Sequence, residues 1–331
     1  MSRIGRREML CGAVALAAGL GRPAIAQART KVRLGYLHVL AVDGQIWTGL
    51  DRGTFEREGI EFDLHEFNTG PEVFEAMAAG EVDVLSAGGV LSNYLALGAG
   101  RAFLINDVEV ATAQLWVRPD LGVKTFSDLQ GKAIATTTKT TAHIFLDRAL
   151  RANGIDPTGV QLRNSNMSTA VASFVSGEVP AVALWVPFNI TVREKVPGAI
   201  KLVDASAFYP QSAVVGGWVA RNDYYQANGD VIVKIIRGWA EANDYMVRSS
   251  LAAVEALQKN HYQHALRADI VEALRAQKMF SSREWKRLYA DGTVAKWLQQ
   301  ASDFFMSDAG VSNSVKATNY FDPKPYLSTI G

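Results

Sequence analysis

Among 331 residues there is a single cysteine, Cys11, and it sits in a basic-then-apolar opening segment. From residue 29 onward the chain has no thiol, which excludes disulfides, thiolate catalysis and cysteine-built metal sites there. Histidine is scarce too, with only His38, His65, His143, His261 and His264. There is no His-Glu-x-x-His pair, no Gly-x-Ser-x-Gly elbow, no phosphate-binding P-loop and no dinucleotide glycine fingerprint, so the usual sequence signs of zinc proteases, serine hydrolases and nucleotide enzymes are missing. His261 and His264 share a helix face without a third ligand, and no metal is assigned. His143 reads as a satisfied polar side chain and not as a base. Past residue 28 no apolar run is long enough to span a bilayer. The net charge of +1 falls to −2 when residues 1–28, with four arginines and one glutamate, are set aside. Such a balance carries no electrostatic footprint for a nucleic acid. No cofactor is implied.

What is present begins with Gly5-Arg6-Arg7-Glu8-Met9-Leu10, followed by the apolar stretch Cys11–Leu20 and by Ala24-Ile25-Ala26. This reads as an export signal over residues 1–28. The paired arginines match a twin-arginine signal, and an ordinary secretory start with two arginines is the alternative. Cys11 lacks the preceding apolar region that a lipoprotein acceptor requires. The remaining residues, about 300, exceed one comfortable core and suit two lobes.

The alternating run Lys31–Leu37 predicts a first strand, and residues 44–52 a helix ending before Gly53. Ile60–Phe67 predicts a second strand. Thr69-Gly-Pro-Glu72 is a capping box for a helix with Val73, Phe74, Met77 and Ala78 on one face, closing at Gly80. The rhythm returns in Asn166–Gly177, a capped helix, and Glu178–Trp185, a strand; both helices end on a glycine followed by Glu-Val. Alternating strands and helices imply an α/β fold of parallel-rich sheets covered by helices, in two lobes of related topology. Ala113–Arg118 and Ala213–Ala220 are apolar runs of strand length, read as crossover strands acting as a hinge. Lobe 1 is then residues 29–115 and 216–331, with a helical tail after Asn222 that includes Leu251–Leu257 and Trp285–Phe305. Lobe 2 is residues 116–215.

Five threonines and a lysine fill positions 136–141. Ala142, Phe145, Leu146, Ala149 and Leu150 follow at helical spacing, so a helix starts near Thr140 or Thr141 and its amino end leaves a strand end. Unpaired N–H groups, the helix dipole and the hydroxyls of Thr138, Thr140 and Thr141 favour an anion there, with Lys139 as an added cation or a solvated side chain; simple capping is the alternative. A second junction, Val84–Leu95, places Ser86, Gly88 and Gly89 where the backbone turns, either to let a ligand approach main-chain donors or to pack tightly. Both junctions fall at carboxyl ends of strands, where open α/β sheets hold ligands. Trp47, Trp116, Trp185, Phe188 and Trp218 lie near these junctions and crossings, as cleft walls or as core.

Asp128-Leu-Gln-Gly-Lys-Ala-Ile-Ala135 and Thr140-Thr-Ala-His143 stand in order between Gly53-Thr-Phe-Glu-Arg-Glu-Gly-Ile60, Gly80-Glu-Val-Asp83 and Trp218–Tyr225. Through these pieces nearly the whole chain after the export segment resembles the nitrate/sulfonate/taurine family of solute-binding proteins from ABC importers. The resemblance implies a two-lobed, type II periplasmic-binding-protein fold that closes on a small solute. It further implies an exported, periplasmic monomer that delivers its ligand to an ABC permease and performs no catalysis. Carried over by position, it implicates Ser86 to Gly89, Thr140, Thr141, the Trp185-Val-Pro-Phe188 segment and the loop from His38 to Gln45, including Asp43. Two departures stand out. Lys139-Thr140-Thr141 replaces a frequent Gly-Ser-Thr, and Trp185-Val186-Pro187-Phe188 replaces a frequent Trp-(Asp/Glu)-Pro-Tyr. The lost carboxylate removes a partner for an amino group, so the expected solute is an organic anion, sulfonate or carboxylate, with an apolar or aromatic body and no ammonium. A periplasmic sensor that presents its ligand to a receptor, and an enzyme of pyrimidine-precursor type, are the alternatives on the same fold. Export and the missing cysteine cluster argue against the enzyme.

Overall fold

The computed structural model describes residues 29–211, 213–308 and 310–331. The export-signal reading and Cys11 lie outside these residues. Ten strands follow along the chain: β1 (Thr30–Leu37), β2 (Ile60–Phe67), β3 (Val84–Ala87), β4 (Arg101–Val108), β5 (Ala113–Val117), β6 (Ala133–Thr136), β7 (Gln161–Asn164), β8 (Ala181–Trp185), β9 (Ile200–Asp204) and β10 (Val215–Ala220). They form two five-stranded sheets, ordered β2-β1-β3-β10-β4 and β7-β6-β8-β5-β9. In the first, β1 pairs parallel with β2 and β3 while β10 runs antiparallel between β3 and β4. The second repeats this layout, with β6 parallel to β7 and β8 and with β5 antiparallel between β8 and β9.

In each sheet the antiparallel strand is the one that has just arrived from the other sheet. The apolar runs around Trp116 and Trp218 are therefore interior strands, every residue of which is buried. The passages lie just before them, at 109–112 and, on the return, at 209–211 and 213–214 among the described residues. Their backbone is hydrogen-bonded: the Glu109 N–H donates to Val214 O at 2.8 Å, the Ala111 N–H to Ala276 O at 2.7 Å, and Val108 and Lys278 exchange bonds of 3.0 and 2.9 Å.

Local capping signals start some of the helices. Thr69 and Glu72 close a reciprocal capping box at the start of Gly70–Ala78, and Asn166 accepts from the Thr169 N–H at the start of Met167–Ser176. Two helices differ from expectation. The one after β1 runs Leu40–Asp51, starting ahead of Gly44 without a side-chain cap, because burying Leu40, Val42 and Ile46 extends it. The Trp285–Phe305 region is two helices, Ser282–Ala290 and Thr293–Asp308, separated by Gly292 at φ 79°.

The helix Gly229–Arg248 presents Val231, Ile232, Ile235, Ile236 and Trp239 to the core of the first sheet. The tail reaches the second sheet's helices as well. Glu272 accepts from Asn189 Nδ2 and Arg193 Nη1, both at 2.6 Å, which ties Arg267–Arg275 to Phe188–Lys195. Phe304 meets His143 edge to face.

Asn106, fully buried on β4, is the polar hub of the first core. Its Oδ1 accepts from Trp218 Nε1 at 2.8 Å and Trp239 Nε1 at 3.2 Å, and its Nδ2 donates to Ser86 Oγ at 2.9 Å. Asn106→Ala strands at least one buried indole donor. It is expected to cost about 1–6 kcal/mol in urea denaturation, from one or two unpaired groups at about 1–3 kcal/mol each.

Candidate ligand-binding cleft

The carboxyl ends of the parallel strands in both sheets open onto one cavity of about 540 Å³, counting its solvent-open mouth. The loop and helix after β1 contribute Leu37, Val39, Ala41 and Val42; Gly70, Gly88 and Val90 complete the first sheet's side. Thr140 and Thr141 after β6, and Trp185 and Val186 after β8, form the second side, with Glu109 and Thr112 of the passage between them. A further space of about 480 Å³ shares Val39, Ala41, Thr112 and Val186 and is walled by Ile190, Ile270 and Ala273.

The threonine junction begins its helix at Thr141, with Thr140 as the capping residue. The Thr140 hydroxyl does not cap, because it donates instead to Thr137 O at 2.6 Å. The N–H groups of Thr141 and Ala142 have no backbone acceptor among the described residues, so the helix start keeps free donors aimed out of a strand end. Lys139 is exposed and outside the cleft. It adopts φ 60°, the left-handed conformation that glycine takes freely and other residues reach at about 1–2 kcal/mol. That conformation turns its N–H toward His143 Nδ1 at 3.2 Å. His143 thus accepts a bond, and burial pushes its pKa down, so the ring stays neutral. Thr138 spends its N–H on Asn164 Oδ1 and does not reach the cavity.

Gly88 lines the cavity, and a Cβ there would lie 2.8 Å from Glu109 Oε1; one on Gly89 would lie 2.0 Å from Val214 Cγ1. Ser86 turns into the core, donating to Val42 O at 2.8 Å. Gln45 is buried and reaches Asn106 O. Asp43 is fully buried and accepts from His38 Nδ1 at 2.6 Å, Trp47 Nε1 at 2.7 Å and the Tyr262 hydroxyl. Burial raises the Asp43 pKa against these donors, and the Asp43 bond raises that of His38. His38, stacked on Tyr262, faces the second space. Of the predicted aromatics, Trp185 lines the cavity while Phe188 packs edge-on against it. Trp116 donates to Gln114 and Trp218 to Asn106, both inside their sheets.

Glu109 is the residue that pattern reading missed. It is 6 % exposed and accepts from the Gly89 N–H at 2.7 Å and the Thr112 hydroxyl at 3.1 Å. Burial raises its pKa, opposed by Gly89, Thr141 and Thr112. The expectation of a solute without an ammonium rested on a site lacking a carboxylate; Glu109 supplies one from a different segment. Its neighbour Asp107 is fully buried and neither oxygen closes a full hydrogen bond among the described residues. Burial and the Glu109 charge hold the Asp107 pKa well above the ordinary carboxyl value. The only sequence sign was an acidic pair, Asp107-Val-Glu109, flanked by apolar strands.

Residues 44–251 match the profile described as NMT1/THI5 like. The chain belongs to this NMT1/THI5-like family. It is 30% identical over 185 residues to the taurine-binding periplasmic protein of Escherichia coli, covering 54% of this chain and 56% of that one. Its structure superposes with a TM-score of 0.73 on the alkanesulfonate-binding protein SsuA from Xanthomonas axonopodis pv. citri bound to MOPS, at 19% identity, covering 89% of this chain and 99% of that one. The desulfurization enzyme DSZB superposes at a TM-score of 0.68 with 14% identity, over 91% and 99%. The fold is the two-lobed type II periplasmic-binding-protein fold. It is shared by binding proteins and at least one enzyme, so activity has to be argued from the cleft. No described helix is long and apolar enough to cross a membrane.

A carboxyl whose pKa is raised on folding favours the folded state only while protonated, and that stability is lost as pH rises through the folded value. Asp107→Asn is therefore expected to raise the melting temperature at about pH 8, with the gain vanishing near about pH 3, where both states of the wild type are protonated. Thermal denaturation across pH measures the difference.

Proposed function

We propose that the protein is the solute-binding component of an ABC importer, exported to the periplasm as a monomer, which closes its lobes on a small organic acid and delivers it to a membrane permease. The observation that carries this reading is the pairing of free helix-start N–H groups at Thr141 and Ala142 with an apolar wall of Val39, Val42, Val90, Trp185 and Val186. The donors suit a sulfonate or carboxylate head, and the wall with the space beyond it suits an apolar or aromatic body. Closure would take place about the passages at 109–112 and at 209–211 and 213–214, with contacts from both lobes biasing the closed state.

Binding is favoured over catalysis because the polar side chains on the main cavity are Glu109, Thr112, Thr140 and Thr141, with no cysteine or histidine among them. An enzyme would convert a bound compound on long incubation; a binding protein returns it unchanged.

A thermal-shift screen with alkyl and aryl sulfonates, carboxylates, nitrate and taurine tests the solute class. At about 100 times its Kd, a true ligand stabilises by about 2.7 kcal/mol. Thr141→Ala removes a hydroxyl at the acid head and is expected to weaken binding about 10- to 150-fold, or about 1.5–3 kcal/mol, by calorimetry. Unchanged affinity would move the head elsewhere in the cleft.

A further inference from the structure

The donors that suit an acid head are partly taken by the chain itself. Glu109 brings a carboxyl from the passage between sheets to the Gly89 N–H of the first lobe and faces Thr141 of the second. It touches the same cavity as Gly88, Thr140 and Thr141. A solute carboxylate or sulfonate at that helix start would stand beside the Glu109 carboxyl, two acids sharing one set of donors.

Glu109 itself has no ion-pair partner among the described residues: no lysine, arginine or histidine there lies within ion-pair distance of it. Arg148 lines the crevice behind Glu109 without pairing to it, the Lys278 ammonium sits over the Tyr209 and Phe280 rings, and His38 is bound to Asp43. His143 is neutral, and its Nε2 faces Asp308 at 3.9 Å. The other charged group at the end of β4 is Asp107, itself an acid. Two adjacent carboxylates without a cation cannot both stay ionised. A single proton between them replaces repulsion with a charge-assisted O–H···O bond.

We propose that Glu109 occupies the anion position of the cleft as a built-in carboxylate, and that an organic acid binds beside it only with uptake of one proton, which Glu109 carries. This rests on the organic-acid reading above and adds its specificity rule: the site takes a monoanion plus a proton, and it rejects dianions. Burial raises the Glu109 pKa, so taking up a proton costs less there than at an exposed glutamate. Once protonated, the carboxyl keeps an oxygen for the Gly89 N–H and donates its hydrogen to the solute head. The proton comes from solvent and returns to it on release.

Calorimetry of the full chain with benzoate, hexanesulfonate and taurine, in two buffers of different ionisation enthalpy, tests this at about pH 5.5 and about pH 8.5. The expected result is uptake of about one proton per bound benzoate or hexanesulfonate at the higher pH, and affinity falling about tenfold per pH unit above the Glu109 pKa. Glu109→Gln is expected to abolish proton uptake, flatten the pH profile and tighten binding at the higher pH. Asp107→Asn should retain the proton uptake, which separates the two acids. Binding without pH dependence in the wild type, or the same slope in Glu109→Gln, overturns the proposal while leaving the organic-acid reading intact. Weaker binding of benzoate and hexanesulfonate by Glu109→Gln at every pH also overturns it, and weaker binding of taurine alone shows instead that Glu109 accepts a hydrogen bond from the taurine ammonium. If none of the probes binds at either pH, the organic-acid reading itself fails and the proposal with it.

Discussion

Each time the chain passes from one sheet to the other, part of the passage is buried, at Glu109 and Thr112 on the way out and at Ala213 and Val214 on the return, and the N–H and C=O groups there need partners. The structure meets this by pairing the two passages with each other, Glu109 N–H to Val214 O, and by bringing residues 276–278 of the tail to Val108 and Ala111. Those bonds place the tail helices, and through Glu272 they place the second lobe's Phe188–Lys195 helix beside them. They also fix where the Glu109 side chain points, since a residue whose N–H is held by Val214 on the passage has the Gly88–Gly89 turn within reach. The cleft inherits its most unusual group from a backbone requirement.

Buried acids recur around this region, and they are not equivalent. Asp43 receives three donors and acts as a clasp between the loop after β1 and Tyr262 of the tail. Glu109 has partners from both lobes. Asp107 has no side-chain hydrogen-bond partner among the described residues, and burial and the Glu109 charge both push its pKa up. A buried carboxyl with few donors lowers its cost by staying protonated, so donor count is what separates the three acids.

How much of this was legible follows the range of the interaction. Thr69 with Glu72, Asn166 with Gly177, and the start of the helix at Thr141 are encoded within a few residues, and their patterns were readable. The strand runs around Trp116 and Trp218 were also readable, yet their apolar character, read as a sign of crossing, reflects interior ladder positions. Leu40 begins its helix without a cap, so only tertiary burial marks it. The fates of Ser86, Gln45 and Asp43 depend on Asn106 and Tyr262, up to 219 positions away, and no local pattern carries such a contact. The threonine cluster suggested more donors than it delivers, because the Thr140 hydroxyl bonds back to Thr137 and the Thr138 N–H is taken by Asn164 of β7.

The placement of β10 has a consequence for the order in which the chain can assemble. The second sheet is built from one continuous stretch, β5 to β9, whereas the first lacks its inner strand until residues 215–220 are available to lie between β3 and β4. Before then β3 and β4 have no hydrogen-bonding partner between them, and closing that gap means joining segments more than a hundred residues apart, an entropically late event. The second lobe, inserted in the middle of the chain, is thus the part able to fold first. The first lobe, although its first strands come earlier in the sequence, is completed around it.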